Sequence, residues 1–159
     1  MKFKYYLGAV MLAIILFSFS ACDNDDDYMP PNQDIITALK QLYPDVQDIE
    51  WSQKGVYYVA DCWVLDVWFD ANANWIMTEM EIFREQLPAA VNTAYEESGY
   101  GDWVIDNLTK LTFPHKSEEF VFEVQKGAQE RALYYSAYGG LLLEKDITDA
   151  DDTHWPDVE

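Results

Sequence analysis

Val67-Trp68-Phe69, the turn Asp70-Ala71-Asn72-Ala73-Asn74 and Trp75-Ile76-Met77 recur later in the chain as Leu133-Tyr134-Tyr135, a second turn and Leu141-Leu142-Leu143. Each set reads as strand, turn, strand, with aromatic and branched apolar runs bounded by residues that favour chain reversal. The match continues upstream, where Tyr43-Pro44-Asp45 ends one helical stretch and Tyr100-Gly101-Asp102 ends another. Self-similarity at this spacing means that one supersecondary unit is used twice.

The rest of each unit follows from periodicity. Asp34–Tyr43 sets Ile35, Ile36, Leu39, Leu42 and Tyr43 at helical spacing, with Asp34 as the cap and Pro44 as the stop. Leu87, Val91, Ala94 and Tyr95 form a second stripe, opened by Pro88 and closed by Gly99 and Gly101. Strands are expected at Val46–Trp51, Val56–Ala60, Cys62–Phe69 and Trp75–Ile82, then at Val104–Phe113, Glu119–Gln125, Arg131–Tyr138 and Leu141–Ile147. The fold class is α+β: a tandem duplication of a helix plus a four-stranded antiparallel sheet, each sheet covering one face with its helix. The repeats occupy residues 34–86 and 87–148, preceded by a leader over 1–21 and an acidic tether over 22–33, and followed by an acidic tail over 149–159.

Period-two alternation assigns faces to the strands. Trp63, Leu65, Val67 and Phe69 point toward the helix, with Leu133 and Tyr135 at the matching places in the second unit. The opposite face carries Asp66, Trp68, Trp75, Met77 and Tyr134. Left open, that face is a candidate protein-binding surface, because exposed aromatics are favoured interface anchors. Packed against the other sheet or the tail, the same rings are core.

The amino terminus addresses the chain. Lys2 and Lys4 precede an uncharged apolar run from Tyr5 to Phe19, too short to span a bilayer and typical of a secretory signal. Small residues before a cysteine, Ser20-Ala21-Cys22, resemble the lipobox of bacterial lipoproteins. That resemblance implies cleavage before Cys22, acylation of it and lipid anchoring in the cell envelope; a simple signal peptide or an uncleaved anchor is the alternative. Asp23-Asn24-Asp25-Asp26-Asp27 then resembles the surface-export signal of some Gram-negative lipoproteins, or serves as a solvated spacer.

The 159 residues carry 29 acids against 10 bases, and loss of the leader leaves a net charge of about −21. Such a balance argues against nucleic-acid binding and favours cationic partners. Half of the residues are hydrophobic and 16% aromatic, so the chain folds despite its charge. With Cys22 lipidated, Cys62 stands alone and reads as a small packing residue.

Two units of helix plus four strands behind a lipoprotein leader resemble the PepSY-like proteins related to β-lactamase-inhibitor protein. The resemblance rests on Tyr43-Pro44-Asp45, Val67–Ile82, Leu87-Pro88-Ala89-Ala90-Val91 and Leu133–Ile147, and spans residues 33–148. It implies a non-catalytic module that binds or inhibits another envelope or secreted protein, often a peptidase. A glycan-binding or structural accessory role, with Trp68 and Trp75 stacking on sugars, is the alternative.

Catalytic signatures are thin. His115 and His154 lack ligand-spaced partners, which argues against a zinc site or a histidine-based triad. No phosphate-cradling glycine loop occurs. The acids at Asp146–Asp152 lack the spacing of a calcium loop and read as solvated charge. The expectation is therefore no enzyme, no cofactor and no metal.

Overall fold

The computed structural model describes residues 31–149. The leader, Cys22 and the Asp23–Asp27 run lie outside the described residues, as does the tail from residue 150 onward.

The first half runs α1 (Gln33–Leu42), β1 (Glu50–Lys54), β2 (Tyr57–Asp61), β3 (Leu65–Phe69) and β4 (Trp75–Glu81). The second runs α2 (Ala89–Glu96), β5 (Val104–Thr112), β6 (Glu119–Lys126), β7 (Gln129–Ser136) and β8 (Leu141–Asp146). Every strand pairs antiparallel with the next, so strand order is sequence order from β1 to β8. The two expected sheets are thus one. Thr78↔Thr112 through Glu81↔Thr109 stitch β4 to β5 across the middle. Periodicity sets which face a residue takes but not which strand lies beside it, and pairing here joins two edges that would otherwise expose their backbone groups.

The helix caps differ in origin. Asn32, not Asp34, caps α1, its side-chain oxygen accepting from the N–H groups of Asp34 and Ile35 at 3.0 Å each. Pro88 precedes the first turn of α2, where its missing N–H costs nothing.

Both helices lie on the same face of the sheet. Ile35 and Leu39 of α1 pack on Ala60, Cys62, Val67 and Phe69. Val91 and Tyr95 of α2 pack on Leu108, Phe120, Phe122, Leu133 and Tyr135. Tyr95 stacks on Phe122 with ring centroids 4.4 Å apart. The expected core positions Leu65, Val67, Phe69, Leu133 and Tyr135 all meet a helix. Cys62 is likewise a packing residue. Burial pushes its thiol up, and Asp61 and Asp66 push it further, so little thiolate is available.

The two strand–turn–strand segments share their irregularities. Trp68↔Met77 is followed by Phe69↔Trp75, which leaves Ile76 as an extra residue in β4. Tyr134↔Leu143 is followed by Tyr135↔Leu141, which leaves Leu142 extra in β8. In the turns, Ala73 and Gly139 occupy equivalent places with φ of 63° and 83°. The left-handed residue of the first turn is therefore Ala73, one place before Asn74. Three bonds to the Asp70 carboxylate hold it, from the N–H groups of Asn72 and Asn74 and the Asn74 side-chain amide, each 2.8 Å long. Burial pushes the Asp70 carboxyl up, but these bonds outweigh it and hold the group below its usual range.

Candidate functional site

The face without a helix is where alternation placed Asp66, Trp68, Trp75, Met77 and Tyr134. Three of the five are closed off. Trp68 and Met77 are each 1% exposed and Tyr134 6%, in one cluster with Val59, Leu111, Phe113, Val121 and Ala132. Neighbouring strands bring these side chains together, and long side chains complete the cover. Tyr57 meets Trp68 edge-on, while Lys54, Lys116 and Lys145 lie over Trp68, Phe113 and Tyr134. Ammonium stems laid on aromatic rings close an apolar face while keeping the charge in water. The expected open aromatic face is thus a second core.

Trp75 departs in another way. The extra residue at Ile76 reverses the alternation, so Trp75 packs with the α1 cluster while Met77 stays opposite. Its indole N–H donates to Thr78 Oγ1 at 3.0 Å, an oxygen that also accepts from the Tyr43 hydroxyl at 2.9 Å. Stacking of a sugar on Trp68 and Trp75 together would need two rings that lie on opposite faces of the sheet.

Asp66 remains on the helix-free face among its own kind. Glu50↔Asp61, Asp61↔Asp66 and Asp66↔Glu79 are direct cross-strand pairs, placing four carboxyl groups in one row over β1 to β4. Like charges directly opposite disfavour the sheet. Burial raises Asp66 above the ordinary carboxylate range, against a hydrogen bond with Glu79; Asp61 adds to the rise and Lys54 opposes it. A hydrogen bond between two carboxyl groups forms only when one of them carries a proton, so this contact strengthens as pH falls.

The residue that alternation misplaced most is Trp63, which was expected in the core and is 95% exposed. β3 begins at Leu65, later than the apolar run suggested. Trp63 instead occupies the turn between β2 and β3, with φ at 69°. The Val64 N–H donates to the Cys62 carbonyl at 2.8 Å, closing a three-residue turn around Trp63. Asp61 Oδ1 accepts the Trp63 N–H at 2.9 Å, and the Cys62 N–H donates to the Leu65 carbonyl at 2.9 Å. The sequence signal for this was Asp61, an aspartate placed to bond a backbone two residues on.

The Trp63 turn divides two grooves. One, of about 530 Å³, runs along Leu42 to Asp48 and the turn itself, with apolar walls from Leu42, Pro44, Val46, Val64 and Leu65. The other, about 250 Å³, is lined by Asp61, Asp66, Glu79, Glu81, Asn107 and Thr109. Among the described residues no group of His, Cys, Asp and Glu side chains has the geometry to hold a metal ion. No helix among them is long and apolar enough to cross a membrane.

A sheet in strict sequence order, backed on one face by two helices and carrying its irregularities in matched positions, is the architecture of a known class. The chain belongs to the PepSY-like family, provisionally described as beta-lactamase-inhibitor-like, whose model matches residues 56–143. Among solved structures, it is 54% identical to a BLIP-like protein from Bacteroides fragilis, with a TM-score of 0.78 over 86% of this chain and 100% of that one. A DUF2874 family protein from Bacteroides ovatus is 27% identical, with a TM-score of 0.75 over 78% of this chain and 93% of the other. A protein from Bacteroides eggerthii, provisionally described as periplasmic, is 30% identical, with a TM-score of 0.74 over 78% of this chain and 94% of the other. No curated protein matches the chain.

Proposed function

We propose that the protein is a non-catalytic, lipid-anchored envelope protein that binds, and by binding restrains, another envelope or secreted protein through the Trp63 turn. The observation that carries this reading is a fully exposed indole held in a left-handed backbone. A bulky residue with positive φ is an outlier, and such strain persists where function requires a side chain to be presented. Three hydrogen bonds around the turn fix its direction, so little conformational freedom is lost when a partner covers it. The beta-lactamase-inhibitor-like family description agrees with a role in binding protein. The binding surface thereby moves from the aromatic sheet face to the loop at its end.

Anchoring follows from Cys22, and export agrees with the periplasmic description of the Bacteroides eggerthii relative. Several acyl chains at about 0.8 kcal/mol per buried methylene give durable attachment, where one chain gives little. The acids after Cys22 support an outer-membrane position facing the cell surface. The matched extra residues Ile76 and Leu142, and the matched turns at Ala73 and Gly139, support descent of the two halves from one duplicated unit.

The experiment is site-specific photo-crosslinking in intact cells, with the reactive group at position 63 and, as control, at the likewise exposed Tyr138. A discrete protein adduct at 63 that is absent at 138 is the expected result. Adducts of equal kind at both positions, or none at 63, would overturn the reading. Adducts containing only glycan would favour the accessory sugar-binding role instead.

A further inference from the structure

Resting on that reading of the Trp63 turn, we infer that the bound partner presents a lysine or arginine beside an aliphatic residue, the aliphatic group in the apolar groove and the cation passing the Trp63 indole into the carboxylate row. Two surfaces of opposite chemistry meet at one exposed ring. On one side Leu42, Pro44, Val46, Val64 and Leu65 offer about 530 Å³ of mostly apolar space open to solvent. Filling it removes apolar surface from water, which is favourable at roughly 25 cal/mol per Å². On the other side Asp61, Asp66, Glu79 and Glu81 line a groove whose walls, among the described residues, include no lysine or arginine.

Charge complementarity selects the occupant. Among the described residues, the ion pairs Arg84–Glu96, Lys110–Glu118, Lys126–Asp102 and Arg131–Asp146 engage four of the cations elsewhere. Lys54, on the strand that carries Glu50, lies over Trp68, from where it offsets only part of the charge along the row. A partner's cation entering the groove would relieve the repulsion along Glu50, Asp61, Asp66 and Glu79 that the sheet otherwise carries. The same cation passes the face of Trp63, where a ring and a positive charge attract. An anionic partner meets repulsion from the carboxylates of the row, and a purely aliphatic one leaves the acidic groove unused.

The test uses defined capped peptides on the purified full-length chain in detergent micelles, following the Trp63 indole resonance by NMR. One peptide carries leucine–arginine–leucine, and the others replace arginine by glutamine or glutamate. The arginine peptide should shift the Trp63 signal and bind at least about tenfold more tightly than the glutamate peptide. Asp61→Asn with Glu81→Gln keeps the turn's acceptor oxygen and removes two charges. It should weaken the arginine peptide roughly three- to tenfold and flatten its salt dependence. Equal binding of the three peptides, no shift with any of them, or no change in the double variant overturns the inference. A position-63 adduct together with indifferent peptides would retire the basic partner and keep the binding module. Loss of both would retire both.

Discussion

Replacing Trp63 by glycine should make the protein more stable while removing its contact surface. At φ 69° any residue with a Cβ sits in a sparsely populated region, at a cost of about 1–3 kcal/mol. Glycine enters that region with almost none of the cost. Against this, glycine frees the unfolded chain, which costs roughly 0.5–1 kcal/mol. Packing lost with the indole is slight, because the side chain is 95% exposed. The hydrogen bond to Asp61 comes from the backbone N–H of residue 63 and survives the change. The midpoints of the two ranges leave a gain of about 1 kcal/mol, or an upward shift in Tm of roughly 3–6 °C. Thermal melts of wild type, Trp63→Gly and Trp63→Ala at one pH separate the contributions. Alanine keeps the strain and loses only the ring, so it should melt within about 0.5 kcal/mol of wild type. Glycine melting below alanine would refute the argument, because the turn would then hold no strain for glycine to release. Gain of stability with loss of the position-63 contact is the trade expected of a functional residue.

Three further outcomes follow from other parts of the molecule. Trp68→Ala should destabilise by about 3–5 kcal/mol in a urea melt, because the ring is fully buried, whereas Trp68→Phe should cost far less since the indole N–H has no hydrogen-bond partner among the described residues. A Trp68→Ala protein as stable as wild type would mean that the helix-free face is open after all. Asp66, raised by burial, contributes stability that is full below the ordinary carboxylate pKa and is lost as pH rises through its raised value. Asp66→Asn should therefore be more stable than wild type near neutral pH by on the order of 0.5 kcal/mol, the difference closing by about pH 4; lower stability of the variant at pH 8 would contradict this. Cys22→Ala should release the protein from the membrane fraction, and a variant that still pellets with membranes would end the lipid reading.

Much of the fold could be read from the residues, and the reasons for the failures are specific. Ile35 and Leu39 marked α1 by their spacing, and both are buried against the sheet. The strands were legible because aromatic and branched residues crowd between Tyr57 and Phe69 and again between Glu119 and Ser136, with turn-forming residues between them. Pairing of β4 with β5 was not legible, since nothing in either strand's alternation names its neighbour. One extra residue at Ile76 was enough to send Trp75 to the wrong face. Trp68 and Tyr134 were put on the correct face, but alternation says nothing about what lies over it, and there the cover comes from Tyr57 and three lysine stems. Trp63 was lost because a large apolar residue next to a strand looks like core. Asp61 was the one signal in the sequence, and the backbone geometry shows that Trp63 belongs to the turn.

A sheet whose spatial order equals its sequence order has a consequence for how the chain is made. Each strand finds its partner in the strand just before it, from β1 through β8, and no crossover waits for a later segment. Contacts between near neighbours in sequence form quickly, because little chain must be closed into a loop for each one. A polypeptide that emerges from the ribosome amino end first meets these requirements in the order in which it is made. α1 and β1 to β4 can collapse around Leu39 and Phe69 while the second half is still being made, and β5 then has an edge already waiting for it.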